Sequence, residues 1–413
     1  MLLVSSLSYA QNAPSERDEI QQLVQQVAAL QERVRLLESQ QAANSASTTD
    51  GTAQAVSTPT AQTAPNDALP PSIPESLHEL HGIQWRGFGE VDYKVLNQRT
   101  PELGTYGFVP GSHGDFYTGD FELLLTARIN DKASVLSEIV FEEQDAQKFG
   151  VDLERVLLKY DYNDHLRMSF GRYQTGIGYY NTAFHSGSWL QTTADRPLIM
   201  EFADDGGLLP TQAIGLSFTG AIPSGGLDLN YIAEYGSSDT VRPELNGNVF
   251  EDENNGNHVN VGLFARPESI PGLQVGASIY HDQISDFTQG PTVRLGQTIV
   301  NGHIVYVRHG IEFLNEGFLI RHAYDQNATV FNMPAFYSQI SKQFGRVRPF
   351  FRYQYINANP GSLFRDVDLR YGSSFGARYD FDDFIAFKAQ LDQTERKGQA
   401  DLDGLHFQLA FTF

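Results

Sequence analysis

Apolar and polar side chains alternate along most of the chain from Gln84 onward, with the period of two that is typical of β-strands. Roughly sixteen such segments can be followed, an even number, as in single-chain bacterial membrane barrels. They begin near Gln84, Phe116, Ala133, Leu153, Leu166, Thr211, Leu227, His258, Leu273, Ile299, Gly310, Phe336, Arg346, Val367, Ile385 and Leu405. The pattern therefore predicts an all-β fold over residues 84–413, a sixteen-stranded antiparallel transmembrane β-barrel.

The connections between these segments alternate in length. The turn-like ones are residues 130–132, 163–165, 221–226, 266–272, Gly345 and 382–383, and the long ones are 96–115, 175–210, 237–257, 325–335 and 395–404. Short turns of bacterial barrels face the periplasm and long loops face outward, so we expect both termini in the periplasm. Strand boundaries between residues 284 and 322 stay open because turn and strand signals overlap there.

The final strand ends on an aromatic residue. Leu405, Phe407, Leu409 and Phe411 share one face with the terminal Phe413. This ending resembles the carboxy-terminal signature of bacterial outer-membrane barrels, which their assembly machinery recognises. We therefore predict that Phe413 is an assembly signal, and a soluble edge strand is the alternative.

The region before the barrel changes character along its length. Residues 1–10 join a short apolar stretch to Ser8-Tyr9-Ala10, a small-x-small pattern, without basic residues. This predicts a partial signal peptide, with a disordered cytoplasmic end as the alternative. Residues 40–80 are rich in Ala, Ser, Thr, Gln and Pro and predict a disordered linker.

Residues 16–39 carry a heptad pattern of apolar residues that alternate in spacing between three and four. The predicted seam consists of Ile20, Leu23, Val27, Leu30, Val34 and Leu37. The seam residues by themselves favour two strands, whereas Arg33-Val34-Arg35-Leu36-Leu37-Glu38 resembles trimer-specifying coiled coils. We predict a trimeric α-helical coiled coil in the periplasm, and a single amphipathic helix packed on its own barrel is the alternative.

Composition excludes several classes of function. The net charge of -21 argues against a nucleic-acid partner, and the absence of cysteine excludes disulfides and thiolate chemistry. We find no nucleophile elbow, no His-Glu-x-x-His pair and no glycine-rich phosphate loop, so we predict neither an enzyme nor a cofactor. His78 and His81 favour a solvated segment over a metal site.

One block carries a family resemblance. The segments Leu166-Arg167-Met168-Ser169-Phe170-Gly171-Arg172-Tyr173 and Leu208 to Leu216, within residues 155–215, resemble the phosphate-selective porin O and P family. Gly171-Arg172 at the end of a strand before a long loop is part of that family's pattern, as is the closing Phe413. The resemblance implies trimers of sixteen-stranded barrels in the outer membrane, with passive channel activity. The family's anion-binding ladder does not map onto this sequence residue by residue.

The alternation predicts which charged residues line the pore. The cations assigned to the polar faces are Arg346, Arg348, Arg352, Arg370, Arg378, Arg167 and Lys159, and the carboxylates include Glu90, Asp120 and Glu122. The row from Arg346 to Arg352 predicts a permanently positive track for anions. A mixed lumen that only orients polar solutes is the alternative.

The longest connection, residues 175–210, occupies the ordinal position of the loop that narrows sixteen-stranded porins. Its candidate constriction residues are Tyr179, Tyr180, Trp189, Arg196, Glu201, Asp204 and Asp205. We expect the aromatic side chains to pack on the inner wall and the charged ones to face the passage. An outer cap that never enters the lumen is the alternative.

Together these patterns predict a general or weakly anion-preferring porin, through which small hydrophilic solutes diffuse passively across the outer membrane. Phosphate or organic anions are the class that such a preference would favour. The expected partners are two further copies of the chain, membrane lipid, the assembly machinery and polar solutes. The alternative is a structural protein whose coiled coil links the membrane to the cell wall.

Overall fold

The computed structural model describes residues 83–97, 114–144, 148–201, 207–237, 240–241, 248–249, 256–286, 293–359, 362–363 and 367–413. The predicted signal peptide, coiled coil and linker lie outside these residues. So do the six seam positions, the two histidines before the barrel, and Asp204 and Asp205 of the long loop. These predictions stay predictions.

The described residues form eighteen strands and one short α-helix. The strands are β1 (Ile83–Leu96), β2 (Asp115–Arg128), β3 (Ala133–Gln144), β4 (Lys148–Asn163), β5 (Leu166–Gln174), β6 (Gln212–Ile222), β7 (Leu229–Ser237), β8 (Thr240–Val241), β9 (Asn248–Val249), β10 (Asn257–Ala265), β11 (Leu273–Asp286), β12 (Val293–Arg308), β13 (Ile311–Tyr324), β14 (Val330–Lys342), β15 (Val347–Asn357), β16 (Leu369–Asp380), β17 (Ile385–Arg396) and β18 (Leu402–Thr412). The helix α1 (Tyr180–Phe184) lies in the connection from β5 to β6, with 3-10 turns at Ser188–Leu190 and Leu198–Met200, and a third, Gly225–Leu227, precedes β7. No helix of the described residues is long and apolar enough to cross a membrane.

All strands except the two-residue β8 and β9 form one closed antiparallel ring of sixteen. Each long strand pairs with the next, and β7 pairs directly with β10. The ring closes where β1 pairs with β18, from Phe88 opposite Thr412 to Leu96 opposite Gly404. The predicted barrel of sixteen antiparallel strands is thus confirmed. Closure leaves no unpaired strand edge, which is a condition for a sheet that spans a membrane.

The two faces of the sheet differ as the alternation predicted. On β15, Phe351 is 46% exposed and faces outward, whereas Arg352 next to it is fully buried and faces inward. On β18, Leu409 is exposed and Gln408 is buried. The outer surface therefore carries large apolar side chains around the ring, and the inner surface carries polar and charged ones on many strands.

Three strands begin five or six residues earlier than the sequence predicted. β4 begins at Lys148 rather than near Leu153, β12 at Val293 rather than Ile299, and β14 at Val330 rather than Phe336. At the start of β14 the inward-facing Phe331 and Met333 are apolar, so the alternation of apolar and polar residues is lost there. The predicted long connection 325–335 is therefore wrong, because only residues 325–329 lie between β13 and β14.

Pro334 lies inside β14, although a proline usually argues against a strand. It pairs with Leu319 of β13, but the β14–β15 pairing begins only at Ala335. On the β15 side no partner requires the N–H that proline lacks, so this position accepts proline within a strand.

Candidate functional site: the barrel interior and its internal loop

The internal loop, of which the structure describes residues 175–201 and 207–211 between β5 and β6, contacts strands on opposite sides of the ring. Its backbone amides bond to Glu122 of β2, Glu234 of β7, Glu316 of β13 and Gln390 of β17. One segment can reach all of these strands of a closed ring only from the inside. The loop therefore lies in the lumen and crosses it.

Wall carboxylates accept hydrogen bonds from the first half of this loop. Glu234 accepts from the Gly176 amide at 3.0 Å, and Glu316 accepts from the Tyr179 and Tyr180 amides at 2.6 and 2.8 Å. Glu316 also accepts from the Tyr337 hydroxyl at 2.6 Å. Amides and hydroxyls bonded to a carboxylate form short, strong hydrogen bonds, so these contacts fix the entry of the loop.

An apolar cluster joins both ends of the loop to β11–β15. Tyr180 is 2% exposed, and its ring centroid lies 5.1 Å from that of Phe184 and 5.9 Å from that of Tyr337. The cluster contains the loop residues Ile177, Ile199, Met200, Leu208 and Leu209 and the wall residues Tyr280, Ile299, Val305, Leu314, Phe318, Ile320, Met333, Ala335, Tyr337, Ile356 and Ala358. Because these inner-wall side chains are apolar, their burial against the loop, away from water, is favourable.

Basic side chains of the neighbouring strands β16 and β17 hold the middle of the loop through its carbonyl oxygens. Lys388 of β17 donates to the carbonyls of Ser188 and Thr193 at 2.5 and 3.0 Å. Arg378 of β16 donates to the Gln191 carbonyl at 3.0 Å and lies over the ring of Trp189, 5.3 Å from its centroid.

Arg352 of β15 has a similar role. It donates to the Thr193 hydroxyl at 3.1 Å and to the Asp195 carbonyl at 3.0 Å. Its side chain is fully buried, so it contacts the loop instead of solvent.

Asp195 forms a charged contact between the loop and the wall. Its carboxylate bonds to Lys94 of β1 at 3.1 Å, to His406 of β18 at 3.0 Å and to Gln390 at 3.0 Å. The other ring nitrogen of His406 lies 2.7 Å from Asp92. Burial alone would raise the pKa of Asp195, but Lys94 and His406 hold that pKa well below its usual range. Asp195 therefore stays ionised.

The other predicted loop residues occupy different environments. Trp189 is buried against Phe88 of β1 and the small Ala386 and Ala410. Arg196 donates to the carbonyl of His185, inside the loop itself. Burial and the nearby Asp195 raise the pKa of Glu201 to about 7.

The predicted pore-lining arginines occupy different positions in the structure. Arg352 and Arg378 hold the loop, as described above, and Arg370 bonds to the Val367 carbonyl at 3.0 Å. Arg348 faces the interior with 23% of its side chain exposed and lies 3.8 Å from Glu312. Arg346 is not on β15 at all, because it lies exposed in the turn before that strand. The predicted row of three arginines on one strand is therefore corrected to two.

The remaining predicted residues lie near the ends of strands or beside the loop. Arg167 lies at the turn end of β5, 3.8 Å from Asp164, and Lys159 lies on the facing part of β4. Glu122 accepts from the Gly187 amide at 2.8 Å, and Glu90 accepts from the amide of Asp120 at 3.4 Å.

Sequence reasoning did not single out Lys388, Glu316 or Asp195. Lys388 and Glu316 occupy inward positions of clearly alternating strands, so the same period that selected the arginines could have selected them. Asp195 lies in an irregular segment, where no period indicates the direction of a side chain.

The chain matches no protein-family model and no curated protein. Solved structures with similar folds include the outer membrane channel DcaP of Acinetobacter baumannii, with a TM-score of 0.55, 8% identity, and coverage of 80% of this chain and 97% of that chain. The anion-selective porin from Comamonas acidovorans has a TM-score of 0.54 and 11% identity over 80% of this chain and 99% of that chain. An in-vitro folded OmpT of Vibrio cholerae, in a trimer form, has a TM-score of 0.53 and 13% identity over 80% of this chain and 99% of that chain.

Similarities at this level of identity show the fold and leave the resemblance to the O and P family a prediction. The chain has the sixteen-stranded barrel fold of outer-membrane porins.

Proposed function

We propose that the protein is an outer-membrane channel through which small hydrophilic solutes diffuse passively. The observation that carries this proposal is the closed ring, apolar outside and largely polar inside, with a long loop held in its lumen. A single closed sheet of sixteen strands is wide enough to hold an aqueous passage. The turn end, where β1 begins and Phe413 lies, would face the periplasm.

The partly exposed charged side chains of the lumen indicate where solutes would pass. Lys94 and Asp195 keep 22% and 26% of their side chains exposed, and Arg348 and Asp380 keep 23% and 28%. These groups carry both signs and lie on β1, β15, β16 and the loop. They would orient polar solutes across a narrow passage beside the internal loop.

Preference for phosphate or organic anions is the finer part of the proposal. It rests on Arg348 and on the structural similarity to an anion-selective porin. Arg352, Arg378 and Lys388 contribute less, because they already donate hydrogen bonds to carbonyl oxygens of the loop. Replacing Arg348 by Gln should move the reversal potential in a potassium chloride gradient towards cation selectivity, most strongly at low salt. An unchanged reversal potential would contradict the anion preference without contradicting the proposed channel.

We also propose a homotrimer in the outer membrane, assembled through recognition of Phe413. The similar Vibrio cholerae protein is described in a trimer form, and the heptads of residues 16–39 favour three copies. Cross-linking of the purified full chain should give trimers. Deletion of Phe413 should reduce membrane insertion.

Planar-bilayer recording of the purified protein tests the central proposal. We expect stepwise conductance, and a variant with residues 181–201 replaced by a short Gly-Ser linker should conduct more, because the narrowest section limits ion flow. A folded barrel without conductance in either form would contradict the channel and favour the structural tether.

A further inference from the structure

A row of polar side chains crosses the outer surface of four neighbouring strands. In the antiparallel register His281 of β11 lies opposite Thr298 of β12, which lies opposite Arg321 of β13, which lies opposite Asn332 of β14. His281, Arg321 and Asn332 are exposed, whereas the next residue in each strand is buried and faces inward. These four residues, the outer polar row, therefore face away from the lumen.

The position of the row follows from the apolar residues below it. The adjacent row towards the turns is Ile279, Val300, Leu319 and Pro334, and the first three are 51%, 46% and 44% exposed. From Phe313, near the turn end of β13, to Arg321 the strand rises by about 27 Å, or about 20 Å along the barrel axis at a tilt of about 40°. The lipid-facing band of such barrels is about 25 Å tall. Arg321 thus lies near the edge of this band, on the side of the long connections.

The charge at this edge is positive and unpaired. Among the described residues, neither Arg321 of β13 nor Arg294, near the beginning of β12, has a side-chain hydrogen bond or ion pair. The His281 ring nitrogen Nδ1 lies 3.0 Å from the Thr298 hydroxyl, with which it forms a hydrogen bond. No outward-facing side chain described on β11–β14 is acidic, and the nearest carboxylate in sequence is the exposed Asp325 in the turn after β13.

An unpaired guanidinium at the edge of an apolar band requires an anion or water. Its planar fork of donors matches the geometry of a phosphate group. Below the row, Gly302 and Gly317 lie opposite each other on the outer face, and a Cβ added at Gly317 would meet no atom within 4 Å. This leaves a shallow apolar hollow beside exposed Val300 and Leu319, where an acyl chain can lie.

From this charge and this shape we propose that the outer polar row binds the phosphate-bearing headgroup of an anionic membrane lipid, with Arg321 as the main ligand. The proposal rests on the membrane position of the barrel that we propose above, but not on conduction. Charge complementarity favours an anion, and the apolar rows below favour an anion that carries acyl chains. A carboxylate from a second copy of the chain is the competing occupant.

Native mass spectrometry of the purified full chain, titrated with phosphatidylglycerol or with phosphatidylcholine of the same acyl chains, tests the proposal. The wild type should bind phosphatidylglycerol more tightly than phosphatidylcholine. Arg321→Gln should weaken phosphatidylglycerol binding roughly five- to tenfold, the effect of losing one charge-assisted contact. Arg321→Lys, which keeps the charge but loses the fork, should lie in between.

Arg308→Gln is the matched control, because Arg308 is an exposed arginine at the turn end of the same β12 as Thr298. It should leave phosphatidylglycerol binding unchanged. Equal losses in Arg321→Gln and Arg308→Gln, or no preference for phosphatidylglycerol in the wild type, would overturn the proposal. So would a change in oligomeric state without a change in lipid affinity, which would assign the row to a contact between copies.

Two further readouts keep the test decisive. If Arg321→Gln does not give a heat-modifiable folded barrel, Arg321→Lys and His281→Gln carry the same comparison. Conductance of the same preparations is recorded separately. A lipid effect in a barrel that does not conduct would leave the lipid site standing while the proposed channel fails.

Discussion

Two sectors of the inner wall hold the same loop by different forces. The apolar sector, β11–β14, buries Phe318, Ile320 and Met333 against Tyr180 and Met200 of the loop. The charged sector, β15–β18 with β1, instead donates hydrogen bonds to the loop from buried cations, among them Arg352 and Lys388. Apolar contact is strong but not directional, whereas hydrogen bonds to specific carbonyls fix where each loop residue lies.

The difference between the two sectors also indicates where the proposed passage for solutes would lie. Tyr337 and Met333 of the apolar sector are each 1% exposed, so the loop covers these side chains completely. Lys94 and Asp195, at the charged sector, keep about a quarter of their side chains exposed, at 22% and 26%. The apolar sector therefore packs against the loop, and we expect the proposed passage to lie beside the charged sector.

The largest expected effect comes from the apolar sector. Tyr180→Ala removes a buried ring between Phe184 and Tyr337 and should destabilise the loop by about 3 to 5 kcal/mol, because a cavity replaces the lost contacts. Protease cleavage within residues 181–201 should become faster, and single-channel conductance should rise. Tyr162→Ala, at a tyrosine that is 56% exposed, should change neither measurement. Equal cleavage rates for both variants would show that apolar packing does not hold the loop.

A smaller effect is expected from the charged sector. Lys388→Met keeps the volume of the side chain but removes the Nζ donor to the carbonyls of Ser188 and Thr193, at a cost of about 2 to 3 kcal/mol. The Ser188 carbonyl still accepts from the Gln191 amide at 3.0 Å. Conductance should become noisy, because the middle of the loop loses its fixed position while both ends stay packed in the apolar cluster. Lys397→Met is the control, since Lys397 is 64% exposed and 3.5 Å from Asp368. Quiet, wild-type traces from Lys388→Met would mean that the neighbouring arginines suffice.

The carboxylate within the apolar sector should contribute less. Glu316→Gln keeps one acceptor oxygen, so it should weaken the contacts to the Tyr179 and Tyr180 amides by about 1 to 2 kcal/mol in urea unfolding. Tyr337→Phe removes only the hydroxyl that donates to Glu316. The double variant measures their coupling, and strictly additive losses would contradict a shared hydrogen-bond network.

The last expected effect concerns pH. Burial and Asp195 raise the pKa of Glu201 from 4.5 to about 7, so its protonated form suits the folded loop. A carboxyl group with a raised folded-state pKa favours folding at low pH, and this contribution is lost as the pH rises from about 4.5 through 7. The free energy of unfolding should therefore fall over this window, and Glu201→Gln should flatten the profile. Asp195, whose pKa is lowered, loses its contribution only in stronger acid.

The sequence predicted the ring well and the loop contacts poorly. Alternation on β18 placed Leu409 outward and Gln408 inward, because the direction of a side chain in a strand depends on parity alone. It also placed Arg352 inward, but it could not show that a loop residue distant in sequence occupies the guanidinium. Arg346 was misplaced because a turn of one residue was predicted, whereas the bridge between Phe344 and Val347 puts Arg346 inside the turn.

The sequence by itself determined the ring of sixteen strands, its antiparallel direction and the face of side chains within regular strands, because these follow from local periodicity and from the lengths of connections. Only the tertiary structure decided that residues 175–201 and 207–211 lie in the lumen, that β11–β14 pack against them with apolar side chains, and that buried basic side chains of the next strands hold the middle of the loop. Those contacts join Glu316 to Tyr180 and Lys388 to Ser188, pairs more than a hundred residues apart. Such pairs come into contact only when the ring closes, and no local sequence pattern predicts them.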